Sequence, residues 1–211
     1  MYTEILQQIK QLLEGELPGE EAHRKMIPPG RKLRANLEEV GAIKYSSVLL
    51  LLFPIDGKIF TCLTRRSLNM KNHPGQISFP GGRIEEGESP ELTAMREAQE
   101  EVGVSPLDVR LLGMLSELFI PVSGYTIFPY VGWTDQKPEF VLNRDEAEKL
   151  LLLPVQDFLQ NEKINYTEME TLRGRITVPY YPCDNEIIWG ATAMILTEFF
   201  DVLKKGSLTL Q

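Results

Sequence analysis

Apolar residues recur at helical spacing near the start of the chain and gather in short runs over most of the remainder. Four of them fall three or four positions apart between residues 3 and 14, which predicts an amphipathic helix there. They are Ile5, Ile9, Leu12 and Leu13. The stretch 15–36 is rich in proline, glycine and charged residues, a composition that favours an irregular arm. We therefore predict an N-terminal helix and irregular arm over residues 1–36 and a globular domain over 37–211.

Short apolar runs downstream of the arm predict the strands of a sheet. The first run is continuous, as expected of a buried strand, and Asp56-Gly57 directly after it predicts a hairpin turn. The predicted strands cover residues 46–54, 58–64, 76–79, 109–119, 126–134 and 175–179.

Helices are predicted between and after these strands. The clearest has Ser89 as a cap, Pro90 at its first position and Gly103 at a left-handed exit. A short helix is expected over 144–152 and a long one over 186–204. Strands combined with two main helices on opposite sides of a sheet predict an α+β fold, in the form of an α/β/α sandwich with a mixed β-sheet.

Charge and composition narrow the classes of function. The 211 residues carry a net charge of −8 and contain no long run of lysine or arginine, so a small anionic molecule is a better partner than nucleic acid. The longest apolar run, 48–53, is too short to cross a membrane, and the first residues lack the pattern of a signal peptide. Cys62 and Cys183 are expected to be free thiols, so we expect a cytoplasmic protein.

Three carboxylates of the best-defined helix stand at positions i, i+3 and i+4, and so share one helix face. They are Glu97, Glu100 and Glu101. Their mutual repulsion costs stability unless a cation binds them. Hard divalent cations take oxygen ligands, and Mg²⁺ also binds substrate phosphates. The spacing therefore predicts a Mg²⁺ or Mn²⁺ site that faces a phosphorylated substrate.

The segment around this helix resembles the Nudix box, G-x5-E-x7-R-E-U-x-E-E-x-G-U, in which U is a bulky aliphatic residue. The one departure is Ala98 at the first U position. The matching residues are Gly82, Glu88, Arg96, Glu97, Glu100, Glu101, Gly103 and Val104. The resemblance implies a Nudix-type sandwich and a pyrophosphohydrolase that uses Mg²⁺ or Mn²⁺. The implied metal ligands are Glu97, Glu101, Glu100 and the backbone carbonyl of Gly82. The implied catalytic residues are Glu97, Glu100 and the orienting Arg96.

A second motif directly precedes the box. Residues 62–82 resemble the pattern L-L-T-x-R-S-x3-R-x3-G-x3-F-P-G-G of coenzyme A pyrophosphatases, with Cys62 in place of the first Leu and Lys71 in place of the second Arg. Lysine keeps the charge but lacks the planar fork that grips a phosphate with two hydrogen bonds. A basic loop beside a metal site suits the diphosphate and the 3′-phosphate of coenzyme A. The expected substrate-binding residues are Arg65, Arg66, Ser67, Lys71 and His73.

This second resemblance implies metal-dependent hydrolysis of the diphosphate bond of coenzyme A or its derivatives. Two alternatives stay open: a Nudix hydrolase acting on ADP-ribose, NADH or a nucleoside triphosphate, and a non-catalytic nucleotide-binding module. The general base is open among four carboxylates, the last of which is more simply explained as a surface group. They are Glu97, Glu100, Glu117 and Glu146. Apolar residues on the N-terminal helix are compatible with a homodimer.

Overall fold

A mixed β-sheet with helices on both faces forms the centre of the structure. The computed structural model describes residues 2–30, 43–70, 72–161, 163–171 and 174–206. Its helices are α1 (Thr3–Glu14), α2 (Glu20–Arg24), α3 (Pro90–Val102), α4 (Val155–Asn161) and α5 (Gly190–Lys205). Its strands are β1 (Lys44–Ile55), β2 (Lys58–Arg66), β3 (Ile77–Ser78), β4 (Gly81–Arg83), β5 (Arg110–Met114), β6 (Leu118–Ile120), β7 (Tyr125–Trp133), β8 (Ala147–Pro154), β9 (Asn165–Thr171), β10 (Gly174–Cys183) and β11 (Glu186–Trp189).

Strand β1 is the centre of the larger sheet. It pairs in parallel with β7 on one side, and on the other side it pairs antiparallel with β4 over 46–48 and with β2 over 52–55. The strand order is β3-β2-β1-β7-β5, with β8 paired to β2 and β6 paired to β7. Because β2 and β4 share one side of β1, the two glycines that begin β4 lie beside the middle of the sheet. Strands β9, β10 and β11 form a separate three-stranded sheet.

Helices α3 and α5 cover opposite faces of the larger sheet. Leu49 and Leu51 of β1 lie in one apolar cluster with residues of α3, whereas Leu50 and Leu52 lie in another with residues of α5. Alternate residues of a strand point to opposite faces, so the continuous apolar run of β1 supplies both layers of the core. The predicted α+β architecture with a mixed sheet is confirmed. Within the described part of the chain, every helix is too short or too polar to span a bilayer.

The N-terminal helices pack on the α5 side of the core. The apolar face of α1, which suggested a homodimer, is covered by the chain itself, since Leu6 and Ile9 are buried in the same cluster as α5. In α2, Nε2 of the buried His23 lies 2.8 Å from Oε2 of Glu198 in α5. The other oxygen of Glu198 accepts a hydrogen bond from the backbone N–H of Gly19. The domain boundary predicted at residue 37 lies outside the described residues.

The helix predicted over 144–152 is wrong. Residues 147–154 form β8, which pairs with β2 along its length. The four leucines at 150–153 make an apolar run that is too short to distinguish a helix from a buried strand by periodicity. Pairing with a strand that is distant in the sequence therefore decides the conformation.

The last helix begins four residues later than predicted, because residues 186–189 form β11. A hairpin joins β10 to β11, and its turn residues Asp184 and Asn185 have φ values of 48° and 62°. Aspartate and asparagine tolerate this left-handed conformation, and they form hairpin turns for that reason. The strand predicted over 109–119 is likewise divided into β5 and β6, and the predicted arm contains α2.

Candidate metal-binding site

Helix α3 forms where the sequence predicts it. The Oγ atom of Ser89 accepts a hydrogen bond from the backbone N–H of Leu92 (3.3 Å), and Pro90 occupies the first turn. Gly103 ends the helix with a φ of 75°, which a glycine adopts without strain. These local signals fix the ends of the helix and therefore the directions in which its carboxylates point.

Glu101 is the most buried acidic residue of this helix, with 3% of its surface exposed. Burial raises the pKa of the Glu101 carboxyl to about 8. The positive charge of Arg66 opposes this shift, and the negative charges of Glu97 and Glu146 add to it. Its Oε2 atom is buried and has no hydrogen-bond partner. The Nη1 atom of Arg66 lies 3.9 Å from Oε1, which is an ion-pair distance rather than a hydrogen bond. The carboxylate also accepts a backbone hydrogen bond from Gly81. A buried carboxylate with one unpartnered oxygen is costly unless a cation compensates it.

Gly82 provides the space that the carboxylate of Glu97 occupies. A Cβ atom built on Gly82 would lie 2.2 Å from Oε1 of Glu97, which is closer than real Cβ contacts. Only glycine allows the backbone of β4 and this side chain to approach so closely. Burial raises the pKa of Glu97, and its hydrogen bond to Arg96 opposes that shift.

Arg96 donates hydrogen bonds to three carboxylates of the Nudix box. Its Nε and Nη2 atoms donate to the two oxygens of Glu88 (2.9 and 3.0 Å), and Nη1 donates to Glu97 (2.9 Å) and to Glu100 (3.0 Å). The hydrogen bonds from Arg96 lower the pKa of Glu88 to about 2, and those to Glu88 raise the pKa of Arg96. Glu88 also accepts from Oγ1 of Thr93 (2.6 Å), so it braces the loop before α3. Arg96 is thereby fixed from the loop side and orients Glu97.

Glu146 is the residue at this site that sequence reasoning underestimated. Carboxylate oxygens of Glu97, Glu101 and Glu146 all lie within 4.8 Å of one another, and we call these three residues the carboxylate cluster. Glu100 is instead 51% exposed and paired with Arg96 at the helix surface. Glu117, another candidate base, is exposed in the connection between β5 and β6. No signal in the sequence singles out Glu146, because the apolar run after it suits either a helix or a strand.

The two neighbouring arginines of β2 form ion pairs with different carboxylates. Arg66 lies against the carboxylate cluster through Glu101. Arg65 instead pairs with Glu148 of β8 (2.9 Å) and Glu186 of β11 (3.3 Å), so it links the two sheets. The ladder between β2 and β8 has a register shift between these two arginines. The two arginines, although adjacent in the sequence, therefore contact different groups.

The remaining predicted substrate-binding residues lie in the loop after β2. Ser67 is buried, and its Oγ atom accepts a hydrogen bond from the backbone N–H of Asn69 (3.3 Å), so it shapes the loop. His73 is exposed, with a left-handed φ of 54°. Lys71 lies outside the described residues. An open depression of about 370 Å³ is lined by Glu97 together with Arg83, Ile84, Glu85 and Glu86.

Known proteins are similar to this chain in sequence and in fold. The NUDIX domain family matches residues 44–172. The chain is 29% identical over 175 residues to Nudix hydrolase 3 of Caenorhabditis elegans, a match that covers 74% of the chain and 72% of that relative. It is 35% identical over 137 residues to the uncharacterized Nudix hydrolase NudL of Pectobacterium atrosepticum, covering 64% and 70% respectively.

A solved structure agrees at the level of the fold. The crystal structure of a MutT/nudix family protein from Enterococcus faecalis superposes with a TM-score of 0.55 at 13% identity, over 96% of the chain and 74% of that protein. With the glutamates and the arginine of the box held together as described, these matches show that the chain belongs to the Nudix hydrolase family and is a pyrophosphohydrolase.

Proposed function

We propose that the chain hydrolyses the diphosphate bond of coenzyme A or its derivatives, giving 4′-phosphopantetheine, or its acyl form, and adenosine 3′,5′-bisphosphate. The observation that supports this proposal is the position of Arg66. It belongs to the 62–82 segment that resembles coenzyme A pyrophosphatases, and its guanidinium lies 3.9 Å from the carboxylate of Glu101. The segment that distinguishes this subgroup therefore borders the carboxylates of the Nudix box.

The residues of the site suit Mg²⁺ or Mn²⁺. Burial raises the pKa of both Glu97 and Glu101, so a hard cation would stabilise the ionised forms that the protein itself disfavours. The buried Oε2 atom of Glu101 has no partner and is available to such a cation. We assign Glu97 and Glu101 as ligands, together with the backbone carbonyl of Gly82. When bound, the metal lowers the pKa of a water molecule and neutralises phosphate oxygens.

The protein's own residues orient the reacting groups. Arg96 holds Glu97 in place and is itself held by Glu88. The side chain of Arg66 is 19% exposed beside Glu101, so its guanidinium can donate to an oxygen of the diphosphate. Water attacks one phosphorus, the bond from that phosphorus to the bridging oxygen breaks, and a carboxylate accepts the proton. Of the four predicted acceptors, Glu97 and Glu146 belong to the carboxylate cluster, whereas Glu100 and Glu117 do not.

Coenzyme A is expected to be cleaved with a higher kcat/KM than ADP-ribose or NADH. The metal meets much the same linkage in every candidate substrate, so discrimination has to come from contacts outside the diphosphate, such as those of the 62–82 loop. The measurement is a side-by-side assay of coenzyme A, acyl-coenzyme A, ADP-ribose and NADH with Mg²⁺ or Mn²⁺, with products identified by mass spectrometry. A higher kcat/KM for ADP-ribose or NADH would refute the coenzyme A proposal and leave the family assignment intact.

Arg66→Ala is expected to raise KM for coenzyme A and for dephospho-coenzyme A by a similar factor, about tenfold. The reason is that Arg66 lies beside the carboxylate cluster, where the diphosphate would bind, and a hydrogen bond between charged groups contributes about 1.5 to 3 kcal/mol. Arg65→Ala is the matched comparison, because Arg65 is held by Glu148 and Glu186 and its loss should mainly lower the melting temperature. A larger effect of Arg66→Ala on coenzyme A alone would instead assign Arg66 to the 3′-phosphate.

Two further expectations stay predictions from the sequence. One is the homodimer, and the other is a cytoplasmic location, which the free thiols of Cys62 and Cys183 would suit.

A further inference from the structure

An exposed aromatic residue lies near the start of the otherwise buried strand β1. Leu49 and Leu51 of this strand are buried in the apolar cluster that contains residues of α3, whereas Tyr45 is 49% exposed. The ring of Phe128 in β7 lies beside it, with the ring centroids 6.2 Å apart and the ring planes inclined by 36°. Paired aromatic rings commonly have their centroids about 4.5 to 7 Å apart. Phe128 therefore supports Tyr45, while half of the surface of Tyr45 remains open to a ligand.

Tyr45 lies on the same face of the sheet as the carboxylate of Glu97. Alternate residues of a strand share a face, so Tyr45 points to the same side as Ser47 and Leu49. Ser47 pairs with Gly82 of β4, and a Cβ atom on Gly82 would meet Glu97. Tyr45 is two residues before Ser47, which is roughly 7 Å along the strand. It is therefore the next side chain of β1 on this face beyond the position opposite Gly82.

Ile84 joins the two aromatic rings to the depression beside Glu97. Its backbone N–H donates to the carbonyl of Tyr45 (3.1 Å), which continues the antiparallel pairing of β4 with β1 by one residue. Residues that lie opposite each other in such a pair have neighbouring side chains on one face. Ile84 also lines the depression together with Glu97. We call Tyr45, Phe128 and Ile84 the aromatic surface, and it is continuous with the depression beside Glu97.

The chemistry of the aromatic surface suits a planar ring better than a flexible chain. Coenzyme A carries adenosine on one side of its diphosphate and pantetheine on the other. Adenine has a π-face that stacks on an aromatic side chain. The amide groups of pantetheine need hydrogen-bond partners, which the side chains of Phe128 and Ile84 do not offer. Only a ribose and its methylene separate adenine from its 5′-phosphate, so a phosphate beside Glu97 leaves the base close to this surface.

We propose that the aromatic surface binds the adenine ring of the substrate, with Tyr45 as the residue on which the base stacks. This inference deepens the proposed function and rests on it, because the diphosphate has to bind beside Glu97. Adenine is common to coenzyme A, ADP-ribose and NADH, so the surface adds affinity for all three and does not discriminate among them. Selection of coenzyme A then depends on contacts elsewhere, such as those of the 62–82 loop.

The test measures the binding of AMP to the full chain by isothermal titration calorimetry with Mg²⁺. AMP carries the base and a phosphate but has no diphosphate bond to cleave. Tyr45→Ala is expected to weaken AMP binding about tenfold, because it removes the ring on which the base stacks. Ribose 5-phosphate carries the same sugar and phosphate without a base, so its affinity should stay unchanged. Tyr45→Phe keeps the ring and should bind AMP as the wild type does.

Tyr166→Ala is the matched control for the loss of an exposed tyrosine. Tyr166 is 62% exposed and belongs to β9 of the smaller sheet, so its removal should leave AMP binding unchanged. Circular dichroism checks that the variants are folded. A loss of AMP affinity in Tyr45→Phe equal to that in Tyr45→Ala would assign the contact to the hydroxyl group and overturn the stacking.

The outcomes separate this inference from the proposal on which it rests. Wild-type affinity of Tyr45→Ala for AMP, or no measurable binding of AMP to the wild type, would overturn the inference, while a preference for coenzyme A would still support the proposed function. Weaker binding of 4′-phosphopantetheine by Tyr45→Ala, with AMP binding unchanged, would assign the surface to the pantetheine chain and overturn the adenine assignment. A tenfold loss of AMP affinity, together with a preference for ADP-ribose, would refute the coenzyme A proposal and leave the role of Tyr45 standing.

Discussion

Glu97→Gln and Glu101→Gln are each expected to lower turnover on the order of a hundredfold or more at saturating Mg²⁺. Each substitution keeps the shape of the side chain and removes one negative charge from the proposed ligand set. Burial raises the pKa of both carboxyl groups, so the ionised forms are disfavoured when no cation is bound. The measurement is kcat with coenzyme A, together with the metal concentration that gives half-maximal rate.

The folded state should survive both substitutions. Neutral glutamine relieves like-charge repulsion inside the carboxylate cluster, so the melting temperature of the metal-free protein should stay the same or rise. Glu91→Gln is a suitable control, because it makes the same change in an exposed position of the first turn of α3. Near-wild-type turnover in both cluster variants would refute the assignment of Glu97 and Glu101 as ligands.

Gly82→Ala is expected to lower turnover by about a hundredfold although it changes no charge. The new methyl group would lie 2.2 Å from Oε1 of Glu97, so the carboxylate has to move by about 1 Å, a displacement that can cost that much when it affects a reacting centre. Mn²⁺ affinity should fall as well. Steady-state kinetics and Mn²⁺ titration of the same preparation measure both effects.

Gly15→Ala provides the comparison for this substitution. Gly15 has a φ of −87°, and its added methyl group would meet neighbours at ordinary distances of 3.5 and 3.6 Å. It should therefore leave turnover unchanged. If Gly82→Ala behaved like Gly15→Ala, Glu97 would not need its present position, and the account of the close approach would be wrong.

The parts of the site that depend on local signals could be predicted from the sequence. Helix α3 has a cap at Ser89 and an exit at Gly103, and both act within one turn of the residues they define. The contact of Arg96 with Glu100 follows from the i,i+4 spacing of a helix. Those interactions need only neighbours in the sequence, so their prediction does not require knowledge of the sheet.

The position of Glu146 could not be predicted in this way. Its place depends on the pairing of β8 with β2, which joins segments about 80 residues apart in the sequence. The short apolar run after it suits either a helix or a strand, and only that pairing decides between them. The different partners of Arg65 and Arg66 could not be predicted either, because the predicted strand ended at residue 64, whereas β2 extends to Arg66. What the sequence does not show is which face of β2 lies above the carboxylates.

The register of β2 also limits how this chain can change in length during evolution. Side chains on a strand alternate with a period of two, so inserting or deleting one residue between Gly57 and Arg66 would exchange the faces of every residue that follows. An insertion would then place Arg65 where Arg66 now lies beside Glu101, and Arg66 would move one position further along the chain. Descendants of this sequence that keep the same chemistry should therefore preserve the number of residues here, while the Asp56-Gly57 turn remains free to vary.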